Sequence, residues 1–107
     1  MTQDLQQHAF RALADPTRRQ ILALLAQREM TIAEVAGHFD MTRAAVKKHL
    51  SILHDGALIE TRAEGRTRVN ALRPDGLKSV ANWLGAFDIF WDERLAALKS
   101  AIEKDIQ

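Results

Sequence analysis

Apolar residues recur at helical spacing in several separate stretches of the first half of the chain. The first two stretches meet at Asp15-Pro16, where the aspartate can cap the second helix and the proline suits its first turn. A third stretch, at about residues 31–39, begins with Thr31-Ile32-Ala33-Glu34, which has the spacing of a capping box. The pattern therefore predicts three helices before residue 40.

A fourth helix is predicted at about residues 42–55, and the hydrophobic period changes directly after it. Thr42 can cap this helix, and Gly56 suits the left-handed residue just past its end. Between residues 58 and 72 the side chains alternate, and Glu64-Gly65 interrupts them with a sequence that suits a hairpin turn. This pattern predicts a two-stranded ribbon with one arginine-rich face, formed by Arg62, Arg66 and Arg68.

The last stretch is predicted to be one long helix, at about residues 75–105, which opens after Pro74. Apolar residues from Leu77 to Ile102 form a stripe along it over about seven turns. The expected fold is therefore mainly α with a two-stranded β-wing, with five helices in a single domain over residues 1–107. The order of elements, two short helices joined by about three residues and then a hairpin, is that of a winged helix-turn-helix.

The charge distribution agrees with a surface that faces phosphate. The net charge of the chain is only +1, but residues 43–78 contain eight basic and four acidic side chains, a net charge of +4. A basic segment between acidic flanks is typical of proteins that bind nucleic acid. A solvated surface of mixed charge could give the same count, so the charge alone does not decide between them. Together with the winged helix-turn-helix order, the charge placement predicts double-stranded DNA as a partner.

The second helix of a helix-turn-helix enters the major groove with its N-terminal residues on the base edges. Arg43 can donate two parallel hydrogen bonds to guanine, and the small Ala44 lets the helix approach closely. The predicted DNA-binding residues are Thr42, Arg43, Ala44, Lys47, Lys48, His49, Arg62, Arg66 and Arg68. Two alternatives stay open: an exposed helix surface with ordinary charges, and a winged helix used for protein–protein contact.

Several classes of function are not expected. The chain contains no cysteine, which excludes disulfides and thiolate metal sites. It has no run of about 18 apolar residues and no export signal at Met1-Thr2-Gln3-Asp4, so we expect a cytoplasmic protein with no membrane partner. We find no glycine-rich phosphate loop and no nucleophile–base spacing, so neither an enzyme nor a cofactor is expected.

Three segments resemble, in the same order, those of the ArsR/SmtB transcriptional regulators. They are residues 15–25 (DPTRRQILALL), the recognition helix at 41–50 (MTRAAVKKHL), and the wing at 53–72. The resemblance implies a homodimer built on the first and last helices, which binds an inverted-repeat operator and usually represses. Arg43 stands where a glutamine is common in that family and Lys47 where a serine is common, so the operator sequence is not implied.

The metal-sensing sites of that family are not matched. Its two cysteine positions in the third helix are Thr31 and Ala33 here, and neither is a soft-metal ligand. Another family site uses Asp and His on the last helix, which contains no histidine in this chain. The chain therefore resembles a subgroup without these sites, and no metal is predicted. A cryptic site that bridges subunits through His8 remains an alternative, and the effector that releases DNA stays unidentified.

The apolar stripe of the last helix is wider than a domain of this length can easily cover. Trp83 and Trp91 with their neighbours would leave a large apolar patch, and such patches usually mark interfaces. The alternative is packing on the helix's own domain. With the first helix added from the resemblance, the predicted dimer interface consists of Leu5, Leu84, Phe87, Trp91, Leu95 and Leu98.

Overall fold

The computed structural model describes residues 2–106, with side chains described from 4 to 104. Met1 and Gln107, the first and last residues of the predicted domain, lie outside the described residues. Within this range six helices and three strands follow one another along the chain. They are α1 (Thr2–Leu13), α2 (Pro16–Gln27), β1 (Met30–Thr31), α3 (Ile32–Ala36), α4 (Arg43–Asp55), β2 (Ile59–Glu64), β3 (Thr67–Leu72), α5 (Pro74–Gly85) and α6 (Asp88–Ile106).

One hydrophobic core joins the first four helices to the base of the sheet. Its largest fully buried side chains come from α2, α3, α4 and the start of β2, and each such burial contributes about 1.5–3 kcal/mol. These side chains are Ile21, Val35, Val46, Leu53, Leu58 and Ile59. The core therefore fixes α4 against α2 and α3 and leaves the opposite side of α4 in solvent.

The three predicted N-caps are all formed. The side chain of Asp15 accepts from the amide of Arg18 at 3.0 Å, and Thr42 accepts from the amide of Ala45 at 3.1 Å. Thr31 and Glu34 form the reciprocal pair of a capping box, at 3.2 and 3.0 Å. Each cap satisfies an amide at the N-terminus of its helix that has no helical partner, which explains where α2, α3 and α4 begin.

Helix α3 is shorter than the predicted 31–39, because it ends at Ala36. The amides of His38 and Phe39 bond to carbonyls three residues earlier, at 3.0 and 3.1 Å, which is the pattern of a tight turn. Phe39 stays half-buried against the core even though it lies outside the helix. Its apolar side chain therefore extended the apparent helical period beyond the true helix end.

The sheet has three strands in the order β1–β3–β2, where the sequence predicted two. The added strand, β1, pairs Met30 with Asn70 and Thr31 with Val69. The buried side chain of Asn70 strengthens this pairing, because it donates to the carbonyl of Met30 at 3.2 Å. A strand of two residues is too short to show alternation, which is why the sequence pattern did not reveal it.

The prediction of one arginine-rich face on the hairpin is wrong. Side chains of directly paired residues lie on the same face of an antiparallel sheet, and Arg62 is paired with Val69 whereas Arg68 is paired with Ala63. Arg62 and Arg68 therefore point to opposite faces. A two-residue turn, in which Gly65 has a φ of 62°, joins the strands, so residues on one face have opposite parity in β2 and β3.

Gly56 does not adopt the left-handed conformation predicted for it, since its φ is −83°. Ala57 takes that conformation instead, with a φ of 55°, and the amide of Leu58 bonds to the carbonyl of Leu53 at 3.1 Å. A Cβ at Gly56 would lie only 3.0 Å from the backbone of α1 at Ala9. The glycine is therefore needed for the close approach of α4 to α1.

The single long helix predicted at 75–105 is divided into α5 and α6, which raises the helix count from five to six. The break follows Gly85, a poor helix former, and the amides of Ala86 and Phe87 bond to carbonyls three residues earlier. Aromatic side chains still meet across this tight turn, since the ring centroids of Trp83 and Phe87 lie 5.0 Å apart and those of Phe87 and Phe90 6.4 Å apart. Asp88 in the first turn of α6 favours a new helix start.

The end of α5 and the whole of α6 form an arm that extends from the core. Every side chain described in residues 81–104 is exposed, and the molecule measures 64 × 34 × 22 Å. We call residues 81–106 the C-terminal arm and residues 2–80 the body. At the base of the arm, Trp83 packs edge-on against Phe10 of α1, with ring centroids 5.4 Å apart.

Candidate nucleic-acid interface

Helix α4 presents one face to solvent along its first three turns. Its buried side chains, Val46, Leu50 and Leu53, all belong to the core, so the opposite side of the helix faces solvent. The exposed residues of this face are Arg43, Ala44, Lys47, Lys48 and Ser51. Because Ala44 is small, the backbone of α4 can come close to a flat partner there.

The outward face of α4 and the wing hairpin enclose an open cleft of about 900 Å³. Arg43, Ala44 and Lys47 line it from α4. The hairpin contributes Arg66 from its turn and Arg68 from β3. Four cationic side chains from two separate elements thus surround one concave surface, an arrangement that suits a polyanion.

Thr42 and Lys48, also predicted to bind DNA, lie beside this cleft rather than in its lining. Thr42 is exposed, and its hydroxyl oxygen already accepts from the amide of Ala45 as the cap of α4. Its hydroxyl proton remains available as a donor. Lys48 is exposed on the neighbouring side of α4, where a phosphate could reach it.

Arg62 is held on the far face of the hairpin. Its Nη1 and Nη2 atoms donate to the two carboxylate oxygens of Glu29, at 2.7 and 2.5 Å. A carboxylate oxygen of Glu64 lies 3.7 Å from Nη2. The hydrogen bonds from Arg62 hold the pKa of the Glu29 carboxyl below its usual range, and Glu29 raises the pKa of the Arg62 guanidinium.

His49 points to the start of α2 and is half-buried. Its Nδ1 lies 3.3 Å from Nη1 of Arg18 and 4.0 Å from a carboxylate oxygen of Asp15. A guanidinium can only donate, so Nδ1 is the acceptor in this contact. The structure therefore separates His49 from the cationic lining of the cleft.

Arg18 is a residue whose role the sequence did not reveal. Its Nε donates to the carbonyl of Ala12 at 2.8 Å and its Nη2 to that of Arg11 at 3.0 Å, both at the C-terminal end of α1. The third nitrogen contacts His49 of α4. Arg18 thus joins α1, α2 and α4, and its amide is the main cause of the lowered pKa of the Asp15 carboxyl. The sequence signal that could have pointed to Arg18 was its place in residues 15–25, the segment that resembles the ArsR/SmtB regulators.

The predicted dimer residues of the C-terminal arm are all exposed large apolar side chains. Trp91 is 63% exposed and Leu95 60%, values far above those of core residues. Leu84, Phe87, Phe90 and Trp91, together with Arg94, line a shallow hollow of about 370 Å³. Leu5, also predicted for the interface, belongs to α1, is half-buried and does not line this hollow.

Two further observations bear on the other classes of function. In the described part of the chain, no group of three or more His, Cys, Asp or Glu side chains is arranged to hold a metal ion. Among the described helices, none is long and apolar enough to cross a membrane.

Comparison with known proteins gives matches to the same segments. The family model described as "Bacterial regulatory protein, arsR family" matches residues 15–61, which run from the cap of α2 into β2. The chain is 34% identical over 77 residues to the transcriptional repressor SdpR of Bacillus subtilis (strain 168). This match covers 72% of this chain and 86% of that protein.

Two solved structures share the fold. The ArsR family transcriptional regulator RHA00566 has a TM-score of 0.74 at 35% identity, over 82% of this chain and 91% of that chain. The second is the homodimeric winged helix-turn-helix DNA-binding domain of Mb0332 from Mycobacterium bovis, a possible ArsR-family regulator. It has a TM-score of 0.63 at 30% identity, over 86% of this chain and 82% of that chain. With its winged helix-turn-helix fold and these matches along most of its length, the chain belongs to the arsR family of bacterial regulatory proteins.

Proposed function

We propose that this protein is a sequence-specific DNA-binding repressor of transcription, which acts as a homodimer on an inverted-repeat operator. The observation that carries the proposal is the shared cleft, in which the outward face of α4 and the wing surround one concave surface with cations. Neither element alone would give this arrangement. It suits a duplex whose major groove receives α4 while the wing follows the adjacent backbone.

The residues of the cleft would have two different roles. Arg43 and Ala44, at the start of α4, would meet base edges, since this end of a recognition helix lies deepest in the groove. Arg43 suits a bidentate contact with guanine O6 and N7. Arg66 and Arg68 on the wing would bind phosphates or the adjacent minor groove, and Lys47 and Lys48 would bind flanking phosphates.

The C-terminal arm would form the dimer. Its exposed apolar side chains, among them Trp91 and Leu95, would be buried against the same surface of a second copy. The homodimeric state of the Mb0332 domain, which shares the fold, supports this assignment. Two copies of α4 could then occupy half-sites about 34–36 Å apart, one helical turn of DNA.

Repression is proposed because SdpR, to which this chain is 34% identical over 77 residues, is a transcriptional repressor. A dimer that occupies a promoter would exclude the polymerase, and an effector of unidentified chemistry would release it. Such a protein acts on the chromosome, so we place it in the cytoplasm.

The test uses the full chain and duplexes that it selects from a random library. We expect an inverted repeat, bound by two chains at least about 1,000-fold more tightly than random DNA of the same length. Affinity should fall steeply with salt, by a slope of about 0.9 per phosphate contact in a log–log plot. A chain that selects no sequence and binds no DNA at low salt would contradict the proposal and favour a protein-interaction module.

A further inference from the structure

The wing carries three arginines, and Arg62 differs from the other two in its position and in its contacts. Arg66 and Arg68 line the cleft, whereas Arg62 lies on the opposite face of the hairpin. Both terminal nitrogens of Arg62 are hydrogen-bonded to one carboxylate, that of Glu29. Such a fork-to-fork pair is stronger and more directional than a single contact.

The position of Glu29 shows which parts of the protein this pair connects. Glu29 directly precedes β1, the short strand that leads into α3 and the helix-turn-helix. Arg62 belongs to β2, which lies at the other edge of the sheet, because β3 separates the two strands. The side chains of Arg62 and Glu29 therefore meet across β3 and connect the outer strand of the wing to the body.

This connection matters because the remaining attachment of the wing to β1 is small. Strand β1 pairs with β3 through only two residues, Met30 and Thr31, and one side-chain hydrogen bond from Asn70. A two-stranded hairpin alone is marginally stable in water. The Arg62–Glu29 pair adds two side-chain hydrogen bonds between β2 and the residue that precedes β1.

The charge of Arg62 is already compensated. Glu29 is bound to it directly and Glu64 lies 3.7 Å away, so the guanidinium has two carboxylates beside it. Contact with a DNA phosphate would require it to exchange Glu29 for that phosphate, and the freed carboxylate would then face the DNA charge. Little electrostatic gain would remain.

We propose that Arg62 is a positioning residue, which fixes the orientation of the wing through Glu29 and does not bind DNA phosphate. The effect of Arg62 on DNA affinity rests on the proposed DNA-binding function. The structural part, a wing held by the Arg62–Glu29 pair, stands on the contacts alone.

The decisive variant is Glu29→Gln, because the two roles of Arg62 predict opposite signs. If the pair positions the wing, Glu29→Gln weakens DNA binding by up to about fivefold, the most that the loss of an exposed ion pair of typical strength could cost. If Arg62 is a phosphate ligand, the same change releases it and tightens binding. The matched control is Glu60→Gln, which removes one negative charge from the same strand as Arg62 and is exposed. Among the described residues, Glu60 forms no ion pair.

Binding is measured by fluorescence anisotropy on a mixed-sequence duplex of about 30 base pairs, roughly three helical turns, over a series of salt concentrations. Arg62→Gln should weaken binding with an unchanged salt slope, whereas loss of a phosphate ligand would lower the slope by about 0.9 per contact. The charge exchange Glu29→Arg with Arg62→Glu should restore affinity to within about twofold of the wild type. A lowered slope, or tighter binding by Glu29→Gln than by Glu60→Gln, would overturn the proposal.

Hydrogen exchange of the β2 and β3 amides without DNA provides the independent readout. Exchange there should increase in both Arg62→Gln and Glu29→Gln and return towards the wild-type rate in the double exchange. Unchanged wing exchange in the single variants would contradict the positioning role, whatever the DNA result. A wild type that fails to bind DNA would refute the proposed function instead, and the exchange experiment would still decide whether the pair holds the wing.

Discussion

The body and the C-terminal arm contain similar apolar side chains but use them differently. In the body, each of α2, α3 and α4 buries an apolar face in one core, whereas every side chain described in residues 81–104 is exposed. An isolated amphipathic helix gains little stability without a surface to pack on. The difference teaches that the body contains a complete core of its own, while the arm would be completed by a second chain under the proposed function.

The largest effect is expected from Trp91→Asp in the arm. A charge at the centre of the proposed dimer surface would be buried without a partner, so dimerisation should be abolished. Operator affinity should fall at least about 100-fold, because the two half-sites lose their link. Sedimentation velocity measures the dimer, and anisotropy measures operator binding.

The control is Ser100→Asp, which adds the same charge on the side of α6 opposite to Trp91, because nine residues correspond to about two and a half helical turns. This variant should remain dimeric and bind the operator as the wild type does. A Trp91→Asp chain that still sediments as a dimer would remove the arm from the interface.

The second prediction compares how much a buried side chain of the body and an exposed side chain of the arm contribute to the free energy of unfolding. Leu53→Ala should lower the free energy of unfolding by about 2–5 kcal/mol, since Leu53 is fully buried in the core of the body. Leu98→Ala in the arm should change it by less than about 0.5 kcal/mol when both are measured by urea denaturation in the monomeric Trp91→Asp chain. Similar losses at both positions would mean that the arm packs on its own body.

A third, intermediate effect is expected from Arg43→Ala at the start of α4. It should weaken binding to the selected operator by about 1–3 kcal/mol and leave dimerisation unchanged, because Arg43 would contact a base. Binding to random DNA should change much less. Equal losses on operator and random DNA, measured side by side by anisotropy, would show that Arg43 reads no base.

The smallest effect is expected from Arg66→Ala at the tip of the wing. If Arg66 binds a phosphate, the variant should lose affinity for operator and random DNA alike, and the salt slope should fall by about 0.9 per contact. The dimer should again be unaffected. A loss confined to the operator would instead give the wing a role in sequence readout.

The sequence predicted the parts of the molecule that depend on local interactions. The caps at Asp15, Thr31 and Thr42 were predicted correctly because each side chain bonds to an amide three residues away. Helix α4 ends at Asp55, as predicted from the glycine that follows it, although the left-handed residue is Ala57 and not Gly56. The conformation of Gly56 depends on α1, which lies far away in the sequence.

Features that depend on distant residues were not predicted. Strand β1 exists because Met30 and Thr31 meet β3 about forty residues later, and the pair of Arg62 with Glu29 joins residues 33 apart. The three wing arginines were assigned to one face because the parity of paired residues depends on the register across the turn. The DNA-binding and dimer roles themselves remain predictions that the proposed experiments address.

The glycine contacts at the end of α4 have a consequence for the spacing of operator half-sites. A Cβ at Gly76, near the start of α5, would overlap the carbonyl oxygen of Gly56, and the amide of Gly76 donates to the carbonyl of Ala57 at 2.9 Å. The backbone just after α4 therefore meets the backbone of α5, the helix that continues into the arm. In a dimer joined by its arms, the distance between the two α4 helices would be set at this glycine junction. Larger residues there would shift the preferred number of base pairs between half-sites.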